Sequence, residues 1–115
     1  MRSGDAIEIE QQTEGDTVVI QAKGDVDITG SPILRDHIRQ AQQTKPARLV
    51  IDLEHVPYMD SSGLATLVEA MKNAKPAGTN LVLCAMHEKV RAIFEIARLD
   101  QYFTIVPSRG EALSG

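Results

Sequence analysis

Arg48-Leu49-Val50-Ile51-Asp52-Leu53, followed after a short loop by Met59-Asp60-Ser61-Ser62-Gly63-Leu64, is the stretch that decides the fold. Its first part is a nearly continuous apolar run, the pattern of a central strand covered on both faces. Past Gly63, the residues Leu64, Leu67, Val68 and Met71 recur at i, i+3, i+4 and i+7, which is the stripe of an amphipathic helix. A buried strand feeding a helix through a polar loop is the unit from which parallel sheets are built, since a parallel partner can be reached only by a crossover.

The same unit recurs outward from this stretch. Downstream, Pro76-Ala77-Gly78 breaks the helix and residues 81–85 form a second buried strand. Val90, Ile93, Phe94 and Ala97 repeat the helical spacing, residues 102–106 read as a last strand, and at most a helical turn follows Pro107. Upstream, Ser31-Pro32 predicts a helix start with Ser31 as N-cap and Pro32 at the first helical position. Its stripe is Ile33, Leu34, Ile38 and Ala41, and Lys45-Pro46 closes it. Residues 6–10 alternate apolar and polar, Glu14-Gly15-Asp16 is a turn, and residues 17–22 form a strand, so the chain opens with a hairpin. The predicted order is β-β-α-β-α-β-α-β. It implies one α/β domain over residues 1–115, with a core spanning about 6–113. The sheet is mixed and of about five strands, an opening hairpin and then parallel crossovers, with three to four helices.

Composition narrows the function. A chain of 115 residues, 43% of them hydrophobic, is the size of a single domain with one packed core. Sixteen acidic against twelve basic residues give a net charge of −4, which argues against direct nucleic-acid binding because no basic face displaces counterions from phosphates. With no Trp, two Tyr and two Phe, a stacking platform for single-stranded bases is missing too. Cys84 is the sole cysteine, so no internal disulfide forms, and its apolar neighbours mark it as a buried small hydrophobe. The first residues lack the apolar core of a signal peptide, and no run approaches the ~20 apolar residues of a membrane span. A cytoplasmic protein without membrane attachment is expected.

In a sheet of this kind the loops after parallel strands emerge at one carboxyl edge. The loop after the second strand carries Asp25 and Asp27, and the loop after the third carries Asp60, Ser61 and Ser62, so topology predicts that these two polar loops are neighbours. Two readings of the second loop stand side by side. In the plainer one, Asp60 or Ser61 is an N-cap and Gly63 allows close packing. In the other, a serine hydroxyl is exposed at the positive end of a helix, where a phosphate is tolerated by the domain and changes what can dock against Asp60 and Asp27.

Val50-Ile51-Asp52-Leu53 followed by Met59-Asp60-Ser61-Ser62-Gly63-Leu64 strongly resembles the STAS domain family, shared by sulfate transporters and anti-sigma factor antagonists. Gly24-Asp25-Val26-Asp27 is similar to that family's Gly-acidic-aliphatic-Asp loop. Leu81-Val82-Leu83-Cys84, Val90-Arg91-Ala92-Ile93-Phe94 and Leu99 resemble its later strand and helix, in one register from about residue 7 to residue 113. The resemblance implies an anti-sigma factor antagonist with Ser61 as phosphoacceptor, Ser62 as the alternative, and Asp27 beside them. The implied partner surface is Asp25, Asp27, Asp60, Ser61, Ser62 and Gly63. It also implies two enzymes as partners, an anti-sigma factor that is a serine kinase and a serine phosphatase. The unphosphorylated form binds the kinase and frees a sigma factor; phosphorylation ends binding. The alternative within the family is a scaffold subunit of a stress-sensing or lipid-transport complex. A monomer is expected. The family's last helix is usually longer than residues 108–115 allow.

Catalysis is the competing class. His37, His55 and His87 are available to a serine, but no Gly-x-Ser-x-Gly elbow is present, so no enzyme is expected. No His/Cys/Asp spacing matches a metal site and no Gly-rich loop cradles a phosphate, so neither metal nor cofactor is expected. Glu69 and Lys72 read as an exposed helical pair, and Glu88, Arg91, Glu95 and Arg98 as a solvated face. Met59 and Met71 read as packing residues, and Leu99 as exposed near the loop edge.

Overall fold

The computed structural model describes residues 7–114. The strands are β1 (Glu8–Glu14), β2 (Thr17–Lys23), β3 (Arg48–His55), β4 (Asn80–Cys84) and β5 (Thr104–Val106). The helices are α1 (Ser31–Gln43), α2 (Ser61–Ala77), α3 (Glu88–Ile96) and α4 (Arg109–Ser114). One sheet runs in the order β1-β2-β3-β4-β5. The β1–β2 pair is antiparallel and every later pair is parallel. Strand order equals chain order because the β1–β2 turn and then α1, α2 and α3 each carry the chain to the next position in the sheet.

Side chains alternate between the faces of the sheet, and the two faces are covered differently. Ile20, Ala22, Leu49, Ile51, Leu53, Leu81 and Leu83 turn to the face that packs with Leu34, Ile38, Leu67 and Phe94 of α1, α2 and α3. Met59 and Met71 lie in this core, as expected. Full burial of such aliphatic side chains stabilises by about 1.5–3 kcal/mol each, which makes this face the main source of cohesion. On the opposite face Val19, Val50, Val82 and Cys84 form a smaller cluster with Ala112 of α4.

That second cluster corrects the expectation of at most one helical turn after Pro107. A six-residue helix is marginal alone, and α4 is held by long-range bonds instead. Arg109 Nε donates to Asp52 Oδ2 at 2.8 Å, and Arg48 Nη1 donates to the carbonyls of Ala112 at 2.9 Å and Leu113 at 3.0 Å. Asp52 is 1% exposed and also accepts the Glu54 N–H at 2.9 Å and Gln21 Nε2 at 3.3 Å, so its charge is buried but partnered.

Local boundaries differ from the pattern where tertiary bonds intervene. The predicted first strand begins at residue 6, outside the described residues, and β1 runs on to Glu14 because each of its residues has a partner on β2. The predicted last strand loses residues 102 and 103, whose amides both donate to Leu99 O. Leu99 is half-buried against the main core rather than exposed. Pro76 sits in the last turn of α2, and Gly78, at φ +74, provides the left-handed C-cap that ends the helix. Glu69 pairs with Arg39 of α1, at 2.7 Å and 3.0 Å, rather than with Lys72, because α1 and α2 lie side by side. Arg91 and Glu95 pair along the exposed face of α3, as the spacing predicts.

Candidate functional site

The two polar loops meet. Val26 N donates to Tyr58 O at 3.0 Å and Asp60 N donates to Val26 O at 3.3 Å, so Val26 and Met59 form a parallel bridge beyond the ends of β2 and β3. Both side chains are fully buried, which pins the loops to the core while their neighbours face outward. Gly63 makes the approach possible. A Cβ there would stand 2.8 Å from Val26 O and 2.5 Å from Met59 Cγ, closer than atoms can pack.

Asp60 is the N-cap of α2, in extended conformation, so the capping reading of this residue is correct. Its Oδ1 accepts the N–H of Ser62 at 2.9 Å and of Gly63 at 3.4 Å, and the Ser62 hydroxyl at 2.6 Å. The bond from the Ser62 hydroxyl, with backbone N–H groups of Ser62, Gly63 and Ile28, holds the Asp60 carboxyl below the ordinary aspartate range against the opposing effect of burial.

The two serines are therefore in different states. Ser62 is half-buried, and its oxygen also accepts the Ser31 hydroxyl at 3.0 Å, so it is held from both sides. Ser61, the first residue of α2, is exposed and its hydroxyl takes part in no side-chain hydrogen bond among the described residues. Two of the amides at this helix end, those of Ser62 and Gly63, are already engaged by Asp60.

Ser31 is the site residue that sequence reasoning misplaced. The N-cap of α1 is Gly30, with no side-chain cap bond, and Ser31 is the first helical residue, 5% exposed. Asp27 does the local work instead: its Oδ1 accepts the N–H of Thr29 at 3.0 Å and of Gly30 at 2.9 Å, and its carbonyl accepts the Ser31 N–H at 2.8 Å. Ser31 is thereby free to reach across to Ser62. The Ser-Pro pair carries a strong local signal for capping and none for a partner 31 residues away. Asp25 is exposed and Asp27 half-buried in the same loop.

His87 Nε2 lies 2.6 Å from Glu54 O, His55 is exposed, and His37 sits on α1; among the described residues no histidine bonds to Ser61 or Ser62. No group of three metal-ligating side chains is present among the described residues. No helix there is long and apolar enough to cross a membrane.

The STAS domain family model matches residues 8–112. An anti-sigma-B factor antagonist of Listeria monocytogenes is 31% identical over 106 residues, covering 92% of this chain and 92% of its own. The anti-sigma-B factor antagonist of Bacillus subtilis is 32% identical over 95 residues, covering 83% of this chain and 85% of its own. Among solved structures, an anti-sigma factor antagonist from Mycobacterium paratuberculosis superposes with a TM-score of 0.84 at 25% identity, covering 99% of this chain and 97% of that one.

Proposed function

The chain belongs to the STAS domain family, and on that premise we propose that it is an anti-sigma factor antagonist switched by phosphorylation of Ser61. In this reading the unphosphorylated protein is a monomer in the cytoplasm. It binds an anti-sigma factor that is also a serine kinase, and binding frees a sigma factor. The kinase then transfers the γ-phosphoryl group of ATP to Ser61 Oγ; ADP leaves and the hydroxyl proton passes to a base of the kinase. A serine phosphatase hydrolyses the ester and restores the binding form. The protein is a substrate in both reactions and catalyses neither.

The observation that carries the choice of Ser61 is the contrast between the two hydroxyls. Ser61 is exposed at the start of α2, whereas the Ser62 hydroxyl donates to Asp60 and accepts from Ser31. A kinase reaches the first without breaking anything. The partner surface is the loop pair around it, with Asp25, Asp27, Asp60, Ser62 and Gly63 as its other members.

The physics of release follows from Asp60. A phosphoserine brings about −1.5 to −2 charge. Asp60 already occupies the amides of Ser62 and Gly63, so the new charge is directed outward rather than absorbed by the helix end. Burying that dianion against a docked partner costs desolvation and repulsion. A loss of about 3 kcal/mol is already more than a hundredfold in affinity.

The test is intact mass after incubation with ATP and a soluble extract of the source cells, wild type beside Ser61→Ala. A single phosphate that vanishes in the variant is the expected result. A phosphate that persists moves the site to Ser62. No phosphate from an extract with active kinases sinks the cycle in favour of the scaffold reading.

A further inference from the structure

Five large hydrophobic side chains are exposed among the described residues, and three of them lie in or directly after the two joined loops: Ile28 at 78%, Tyr58 at 50% and Ile33 at 38%. Single exposed apolar residues are ordinary on a protein surface, but these are grouped by the fold. Ile28 stands two residues past Val26 and its N–H points to the Asp60 carboxylate; Tyr58 stands two residues before Asp60 and its carbonyl accepts the Val26 N–H. The bridge that joins the loops therefore sets Ile28 beside Asp60 and Tyr58 beside Val26, in the same joined loops that lead into Ser61. Neither side chain is needed by the core, which Val26, Val56 and Met59 fill at full burial.

The two loops themselves carry charge of one sign. Residues 24–34 and 54–68 carry Asp25, Asp27, Glu54 and Asp60 and contain no Lys or Arg. Apolar anchors with charged residues beside them match the anatomy of a protein–protein contact, with energy concentrated in a few desolvated side chains and the rim setting the choice of partner.

We infer that Ile28 and Tyr58 are the apolar anchors by which this edge docks, and that the face they enter is an apolar pocket rimmed by Lys and Arg. The inference rests on the antagonist reading and says what the anti-sigma factor kinase must look like where it touches this chain. It also sharpens the release step. A phosphate on Ser61 keeps a hydration shell close to two anchors that contribute only when dry.

The experiment is calorimetric titration of the purified kinase with wild type, Ile28→Ala, Tyr58→Ala and Ile96→Ala at low and high salt. Ile96 is 83% exposed at the end of α3. That helix starts just past the carboxyl end of β4, so its last residue lies toward the opposite edge of the sheet and serves as the control. Each anchor variant is expected to bind at least tenfold more weakly and Ile96→Ala within twofold of wild type. Affinity is expected to fall as salt rises. Ile28→Leu and Tyr58→Phe, which keep the apolar bulk, are expected to retain binding. If both alanine variants bind like wild type while Ser61→Asp does not bind, the anchors are wrong and the antagonist reading stands. Affinity independent of salt overturns the basic rim. No binding by wild type overturns the antagonist reading and the anchors together.

Discussion

The Ser62 hydroxyl donates to Asp60 Oδ1 across 2.6 Å, which ties the second serine of the pair to the cap of its own helix. One carboxylate thus secures the start of α2 and sets Ser62 apart from Ser61.

Asp60→Ala removes that cap and is expected to lower stability by about 1 kcal/mol at neutral pH. The pH dependence has a definite sign. The folded-state pKa of Asp60 is depressed by the bonds from Ser62 and its neighbours. Its contribution is therefore present above the unfolded value of about 3.9 and is lost as pH falls through the lower folded value. Urea unfolding between neutral and acid pH should show the gap between wild type and variant closing at the acid end.

Phosphosite mapping of the same variant gives a second readout. With Asp60 gone, the Ser62 hydroxyl keeps only the bond from Ser31. A share of the phosphate is then expected on Ser62, where wild type is expected to carry it on Ser61 alone.

Gly63→Ala places a methyl group 2.8 Å from Val26 O. The backbone must give way, so the variant is expected to lose about 1–3 kcal/mol, in the range for overpacked positions. Because the displaced atom belongs to the bridge between the two loops, kinase affinity should fall as well. A shift of the denaturation midpoint at unchanged slope, together with a titration, checks both.

Ser61→Ala and Ser61→Asp should separate the two roles of the hydroxyl. The alanine variant is expected to bind the kinase much as wild type does and to remain unphosphorylated. The aspartate variant is expected to bind at least tenfold more weakly, as a partial mimic of the phosphate charge. Equal affinity of the two variants would sink the charge-driven release.

Arg109→Met leaves Asp52 buried without its ionic partner and is expected to cost about 1.5–3 kcal/mol. The lower end is favoured because the Arg109 side chain is 31% exposed and water can take its place. Cys84 reports on the same region: burial, aided by the charge of Asp52, pushes its thiol up to about 12. It should resist thiol reagents at mildly alkaline pH in wild type, and react in a chain truncated after Pro107, where α4 no longer covers it.

Much of this architecture was legible in the residues because its signals are local. The cap at Asp60, the glycine at position 63 and the stripe from Leu64 to Met71 sit within one stretch of sequence. The meeting of the two loops followed from topology. What could not be read depends on long-range pairs. Arg109 and Asp52 are 57 positions apart, and the short helix they secure has no periodicity of its own to announce it. Ser31 carries a capping pattern so typical that its reach to Ser62 leaves no trace in spacing. Glu69 found Arg39 because helix–helix packing brings α1 alongside α2, a relation that intrahelical spacing does not encode.

The loops around Ser61 are joined through main-chain atoms, Val26 N to Tyr58 O and Asp60 N to Val26 O. Peptide groups are indifferent to the identity of the side chains beside them. Positions such as Asp25, Ile28 and Tyr58 can consequently be exchanged without disturbing the joint that presents them. A duplicated copy of such a chain could acquire a new partner by drift at those few positions and stay insulated from its parent, while both kept the same switch.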